Sequence, residues 1–250
     1  MQYNAEENDL MVYGYHPVLE AIKQGRPIHK VILPTGDFTE HAKKIWFDLK
    51  GTDVLIQRWP LQKIDKVAKG NHQGILAYIS PVAFDNLDKL VDRVKANGEI
   101  PALCWLDGVS DVRNLGAIMR SAACFGMHGI ILPAKSGATL TADVIKSSAG
   151  AIYHIPLILS KSTPATLSDL AKLGVFVVAV SEKAENSIEE VEMEDPTCLV
   201  LGDEGRGVSR EILEFADNHF KIPMKGDVAS LNVSVAAGVT FYEWFKKSSK

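Results

Sequence analysis

Apolar positions along this chain recur at two spacings that take turns, and the alternation maps out the fold before any single residue is considered. From Val12 the run YGYHPVLEAIKQG repeats at helical spacing and closes at Gly25, and a short strand is expected at Lys30 to Leu33. A helix over Glu40 to Leu49 then places Ile45, Trp46 and Leu49 on one face, and beyond the Gly51 break Val54 to Trp59 reads as a second strand. The order is βαβ. A small helix at Leu61 to Lys69 precedes a closing strand at Ile75 to Ile79, which Pro81 ends. The next pattern, FDNLDKLVDRVKANG, is a charged amphipathic helix that opens something new, so the domain boundary is expected between Pro81 and Ala83, giving domains 1–82 and 83–250.

The second domain also alternates. Apolar strands are expected at Ala102 to Leu106, Gly129 to Leu132, Tyr153 to Leu159, Val175 to Val180, Thr197 to Leu201 and His219 to Ile222, with helical patterns between them. Strands that are apolar throughout and separated by helices argue for an α/β fold whose parallel sheet is covered on both faces. Ligands bind such sheets beyond the carboxyl ends of the strands. Three loops expected at those ends, Asp107 to Gly116, Gly202 to Gly207 and Pro223 to Asn232, are rich in Gly and polar residues.

Composition narrows the class. A chain of 250 residues with 46% hydrophobic content has a sizeable core. No apolar run is long enough to span a bilayer, and Met1 to Leu10 is polar and acidic, unlike a signal or transit peptide, so the cytoplasm is expected. Cys104, Cys124 and Cys198 sit in apolar segments without the spacing of a disulfide framework or a zinc site, and are expected to be buried thiols; no metal is expected. A formal charge of -4 argues mildly against a protein that coats nucleic acid and leaves a local basic surface open.

The three loops carry the chemistry. In LDGVSDVRNLGAIMRSAACFG, Asn114 is placed to cap a helix with Leu115, Ile118, Met119 and Ala122 on its apolar side and Gly126 as its stop. Arg120 lies off that stripe, and Gly116, which costs about 1 kcal/mol against Ala within a helix, is expected to let a substrate backbone approach beside the guanidinium. In LVLGDEGRGVSREI the glycines Gly202, Gly205 and Gly207 match neither a dinucleotide turn nor a P-loop, and Glu204 would repel a pyrophosphate. An open Gly loop of this kind suits a nucleoside-like cofactor without phosphates. In IPMKGDVASLNVSVAAGV, Ser230 is expected at a helix N-cap, with Asn232 either a satisfied core residue or part of a site. The Val-rich helix that follows is a weak helix former, so burial has to hold it.

Asn114, Gly116 and Arg120 form N-x-G-x-x-x-R, Gly202, Glu204 and Gly207 form G-x-E-x-x-G, and Ser230, Leu231 and Asn232 form a third block. In this order they resemble the three motifs of the SpoU (TrmH-type) branch of the SPOUT methyltransferases, from about Leu103 to the C-terminus. The YGYHPVLEAI opening and HQGILA close of the first domain resemble the small α/β RNA-binding domain of bacterial ribosomal-RNA guanosine 2'-O-methyltransferases. The resemblance implies a C-terminal trefoil knot holding bent S-adenosylmethionine through main-chain groups of Gly202, Ile222 and Leu231. It also implies a homodimer with the knot region at the interface, which would account for the apolar helix Leu231 to Phe245, and methyl transfer to a ribose 2'-hydroxyl of RNA.

In that reaction Arg120 would stabilise the developing alkoxide, Asn114 and Ser230 would orient, and Asn232 would add a hydrogen bond. Glu204 would position the Asn114 and Arg120 side chains or a loop amide. Transfer RNA as substrate, and a non-catalytic RNA-binding protein of ribosome assembly, are the alternatives. A dinucleotide-dependent oxidoreductase lacks its fingerprint turn.

Overall fold

A computed structural model describes residues 11–23, 25–36, 38–52, 54–79, 82–134, 140, 142–190, 195–227 and 230–248, with backbone only at 29 and 142. The polar Met1 to Leu10 segment, the strand stop at Pro81 and two residues of the third loop, Val228 and Ala229, lie outside the described residues. The chain divides into two compact units, Met1–Ala83 and Phe84–Lys250.

The first unit runs β1 (Met11–Tyr13), α1 (Tyr15–Lys23), β2 (Ile28–Pro34), α2 (Glu40–Leu49), β3 (Leu55–Trp59), α3 (Leu61–Val67) and β4 (Leu76–Ile79), with sheet order β1-β4-β2-β3. The expected βαβ is there: β2 and β3 pair in parallel across α2. Strand β1 was not expected, because three residues are too few to show a period; pairing with β4, Val12 against Ala77, fixes it. Val18, Val31, Leu33 and Ile45 are fully buried in the core that takes in α1 and α2, and Ile32, Ile64 and Leu76 pack in a second cluster with α3. Thr39 caps α2 by accepting the Ala42 amide at 3.2 Å.

The opening and closing segments of this unit form one joint. Gly14, at φ +90°, donates its amide to Ile75 O at 2.9 Å, and a Cβ there would meet Asn71 O at 3.1 Å. Gln73, itself left-handed at φ 50°, accepts the Tyr15 amide through Oε1 at 3.1 Å and so satisfies the start of α1 from 58 residues away. The two segments that carry the resemblance in this unit are therefore joined in space.

The second unit contains β5 (Phe84–Asp85), α4 (Leu87–Ala96), β6 (Ala102–Asp107), α5 (Val112–Cys124), β7 (Gly129–Pro133), α6 (Ala142–Ser147), β8 (Leu157–Ser160), α7 (Thr163–Lys172), β9 (Phe176–Val180), β10 (Thr197–Gly202), α8 (Arg210–Phe215), β11 (Asn218–Phe220) and α9 (Val233–Ser248). The sheet has order β11-β9-β10-β6-β7-β8-β5, and every pairing is parallel. Leu103, Trp105, Val177 and Val200 pack in one core with α4, α7 and α8. The alternate residues Cys104, Leu106, Leu199 and Leu201 are buried on the other face. There α9 contacts β10, and α5 packs against α6 and α9.

Three expectations need correction. The strand expected from Tyr153 begins at Leu157, because Tyr153 belongs to a 3-10 turn over Ala151–Tyr153 that follows Gly150 at φ +81°. The last strand covers Asn218–Phe220 and stops short of Ile222. Cys104 and Cys198 are buried, but Cys124 is exposed, since it ends α5 off the Leu115, Ile118, Met119 and Ala122 stripe.

Candidate active site

Strands β6 and β10 lie side by side with Leu106 opposite Leu201 and Asp107 opposite Gly202, so the first two polar loops leave the sheet next to each other. Asp107 ties them together by accepting the Ser209 amide at 2.7 Å. Asp111, not Asn114, caps α5: its carboxylate accepts the amides of Arg113 at 3.0 Å and Asn114 at 2.9 Å. A carboxylate at the N-cap reaches two unpaired amides and faces the positive end of the helix dipole, so it takes the role. Asn114 is left inside the first turn with its side chain available to the site.

The third loop is corrected in the same way. Asn232, not Ser230, caps α9, with Oδ1 accepting the Ser234 amide at 2.9 Å and its carbonyl accepting the Ala236 amide at 2.9 Å. Asn232 is exposed, so it is no core asparagine. Burial holds only part of α9: Val233, Ala237, Phe241 and Trp244 face inward, while Val235, Tyr242 and Phe245 are about half exposed.

Glu204 gathers these pieces. Its Oε1 accepts from Asn114 Nδ2 at 3.1 Å, Asn232 Nδ2 at 2.5 Å and the Val233 amide at 3.4 Å. Asn232 Nδ2 also donates to Asn114 Oδ1 at 3.0 Å. The negative charge of Glu204 sits at the N-terminus of α9, where the helix dipole favours it. Of the roles expected for Glu204, the hold on Asn114 and on an amide is present and the hold on Arg120 is absent. The Arg120 guanidinium is exposed and has no hydrogen bond or ion pair with a described residue.

Two glycines have structural reasons. A Cβ at Gly116 would lie 2.6 Å from Ser147 Cβ and 2.7 Å from its carbonyl carbon, while Ser147 Oγ donates to Val112 O at 3.1 Å. The room expected for a substrate backbone is therefore occupied by α6. A Cβ at Gly202 would collide with the Gly207 carbonyl and the Val208 amide, because the loop folds back over its own start. Asp203 shapes that fold, accepting the amides of Gly205 at 2.9 Å and Arg206 at 3.2 Å. Asp203 and Asp111 were not among the expected site residues; each is eligible by type before a turn or a helix, and the hydrogen bonds single it out.

A cavity of about 270 Å³ opens at these strand ends. Gly202, Ile222 and Leu231, the three expected cofactor positions, all line it, as do Glu204 and Ser230. Asn114, Asn232 and Arg120 do not line it; the first two meet at Glu204 on its edge. Val180, Leu201 and Met224 add apolar wall, and Glu182 and Lys183 add charge beyond the end of β9. These β9 positions were missed, though they too follow the carboxyl end of a parallel strand. Among the described residues no three His, Cys, Asp or Glu side chains gather in a metal-binding group.

The family model for the SpoU rRNA Methylase family matches residues 101–242, and that for RNA 2'-O ribose methyltransferase substrate binding matches residues 11–84. A Staphylococcus aureus (strain MSSA476) protein assigned to the TrmH family of tRNA/rRNA methyltransferases is 35% identical over 239 residues, 96% of each chain. YacO of Bacillus subtilis (strain 168), assigned to the same family, is 34% identical over 243 residues, 97% of each chain. Among solved structures, the SpoU methyltransferase AviRb of Streptomyces viridochromogenes, in complex with AdoMet, has a TM-score of 0.60 at 20% identity, covering 95% of this chain and 89% of AviRb. The A. aeolicus TrmH/SpoU tRNA modifying enzyme has a TM-score of 0.55 at 29% identity, covering 65% of this chain and 84% of its own. With relatives more than 30% identical over 96–97% of this chain and a family model spanning most of the second unit, the chain belongs to the SpoU (TrmH-type) family of RNA methyltransferases.

Proposed function

We propose that this protein transfers the methyl group of S-adenosylmethionine to a ribose 2'-hydroxyl of structured RNA, with a guanosine of large-subunit (23S) ribosomal RNA as the expected target. The observation that carries the reading is the Glu204 junction, which brings three separate chain segments together at the rim of one cavity. The cavity suits the cofactor. Its volume is near the lower bound of about 300 Å³ typical of small-molecule sites. Val180, Leu201 and Met224 offer apolar wall to a purine, and main-chain groups of Gly202, Ile222 and Leu231 can bond its edge and ribose. The carboxylates of Glu182 and Glu204 disfavour a pyrophosphate and favour a cationic sulfonium.

When bound, the cofactor supplies an electrophilic methyl group. The chain's own task is to hold the ribose hydroxyl in line and to stabilise the negative charge its oxygen acquires as its proton passes to solvent and the new carbon–oxygen bond replaces the carbon–sulfur bond. Arg120 does this best of the residues present: a guanidinium stays protonated, and this one is not spent on a described neighbour. Asn114 gives one N–H to Glu204 and keeps the other for substrate, and Ser230, on the cavity wall, offers a hydroxyl. Asn232 is committed to Asn114, Glu204 and Ser234 and serves to position them.

The substrate-binding match over residues 11–84 supports the first unit as the RNA-recognition module. Transfer RNA is the second reading, supported by the likeness to the A. aeolicus tRNA modifying enzyme. We place the work of this chain in the cytoplasm, beside its RNA; no described helix is long and apolar enough to cross a membrane. The same reading includes a C-terminal knot and a homodimer. The exposed Val235, Tyr242 and Phe245 on α9 support the dimer, and Tyr242→Asp is expected to sediment as a monomer where the unaltered protein sediments as a dimer.

Mapping ribose methylation in RNA from a deletion strain tests the function. One lost methylation, restored by the purified protein with labelled S-adenosylmethionine, is the expected result. No loss in ribosomal or transfer RNA, and no transfer in vitro, would refute it.

A further inference from the structure

One face of the sheet in the first unit is only partly covered. Register places Met11, Tyr78, Lys30 and Leu55 in a single row across all four strands, and all four are partly exposed. In the neighbouring row Leu76 and Ile32 are fully buried, in the cluster with Ile64 of α3 and Ala68 just beyond its end. Helix α3 has seven residues, or about 10 Å of length, and cannot shelter both rows. The opposite face carries two longer helices and the larger core.

Two cations rest on aromatic rings at this surface. Lys30 Nζ lies 4.3 Å from the centre of the Tyr78 ring, and Lys63 Nζ, reaching from α3, lies 3.7 Å from the centre of the Trp59 ring. Neither ammonium forms an ion pair with a described residue, and Asp65, an acid on the same helix, is taken by His72 Nε2 at 2.8 Å. Burial lowers the Lys30 pKa below the ordinary lysine range, and the charge of Lys63 lowers it further. Two charges that repel each other, with no acidic partner among the described residues and each beside a π-face, make a surface that gains from an anion carrying flat groups. A carboxylate-bearing peptide would satisfy the charges alone; a nucleic-acid strand satisfies charges and rings together.

We propose that this face is where the first unit grips its RNA, with backbone phosphates at Lys30 and Lys63 and unpaired bases stacked on Tyr78 and Trp59. The lysines then leave the rings for phosphate as bases take their places. Stacking on aromatic side chains suits single-stranded or looped segments, because bases inside a duplex are not free to stack outward. The proposal rests on the RNA-methyltransferase reading above and names the residues that recognise its substrate.

The test uses the full chain, a fluorescent oligouridine for binding over a series of salt concentrations, and ribosomal RNA for methylation. In Lys30→Gln/Lys63→Gln the oligouridine Kd is expected to rise about tenfold or more, and the slope of log K against log salt to fall by about 0.7 for each phosphate contact removed. Trp59→Leu and Tyr78→Leu should weaken binding about fivefold to a hundredfold without changing the slope. In all variants KM for RNA rises while kcat and S-adenosylmethionine affinity stay near those of the unaltered protein. Lys63→Gln alone, at an exposed side chain, keeps the test decisive if a Lys30 variant melts early. Unchanged Kd and slope in the double variant would overturn this surface and leave methyl transfer standing. Tenfold weaker RNA binding by the double variant of a protein that methylates no RNA would uphold the surface and overturn the function.

Discussion

Asn232 donates from Nδ2 to Asn114 Oδ1 at 3.0 Å across 118 residues of sequence, and both side chains also donate to the same Glu204 oxygen. The three residues satisfy one another, so removing one leaves the others misplaced. Hydrogen bonds to a charged group contribute about 1.5–3 kcal/mol when sheltered, and exposure of Glu204 and Asn232 brings the expectation down to about 1 kcal/mol. A double-mutant cycle of Glu204→Ala and Asn232→Ala, followed by urea unfolding, should show coupling of that size. Additive effects would mean that the junction holds nothing together.

Gly116 is predicted to be intolerant because of α6, not because of substrate. Ala would gain about 1 kcal/mol in helix propensity, but its Cβ must displace Ser147, whose carbonyl carbon is 2.7 Å away, and overpacking costs about 1–3 kcal/mol. Gly116→Ala should therefore melt earlier. Ser147→Gly should restore only part of the loss, since it removes a side chain and leaves the backbone in place. A Gly116→Ala protein as stable as its parent would return the glycine to a substrate role.

The burial of Cys104 and Cys198 gives a pH prediction. Burial raises both thiol pKa values, and for Cys104 the neighbouring Cys198 raises it further. In the unfolded chain thiols ionise near pH 8.5, so above that pH the unfolded state releases protons that the folded state keeps. The stabilisation is complete below about pH 8.5 and declines as pH rises, by up to about 1.4 kcal/mol per unit for each thiol. Cys104→Ala/Cys198→Ala should show a flatter decline of stability above pH 8.5 than the parent. In the native state a thiol reagent should modify Cys124, the exposed one, first.

What could be read from the sequence was whatever period or spacing carries. The helix over Glu40–Leu49 repeats often enough to be read, the main strands of the second unit show as apolar runs whose ends were off at Leu157 and Phe220, and the cofactor positions implied by the family resemblance, Gly202, Ile222 and Leu231, all line one cavity. Short elements escaped: β1 and β5 have three and two residues and depend wholly on their partners. Caps escaped too, because Asp111 and Asn114, or Ser230 and Asn232, are both eligible by type, and geometry alone decides which carboxylate or amide reaches the free N–H groups. The reason for Gly116 lay at Ser147 of α6, far along the chain, where no local pattern points.

Arg120 stands apart from this network: it lies on α5 one turn beyond Gly116, exposed and without a described partner, while Asn114, Glu204 and Asn232 hold one another. A residue that supports the fold would have such a partner, so the arrangement suits a charge kept for the substrate. If Arg120 stabilises the oxyanion that forms on the ribose, Arg120→Ala should lower single-turnover methyl transfer by roughly 10² to 10³. Cofactor affinity should survive, because Arg120 does not line the cavity. Arg120→Lys should recover part of the rate, since an ammonium keeps the charge and loses the planar fork that engages phosphate and hydroxyl together. A guanidinium does not titrate near neutrality, so raising the pH should not rescue the Ala variant selectively, as it would if Arg120 were the general base. Single-turnover rates across pH, with S-adenosylmethionine binding measured by calorimetry, decide the matter. Near-normal turnover of Arg120→Ala, or a loss of turnover that follows lost cofactor binding, would remove Arg120 from the transition state.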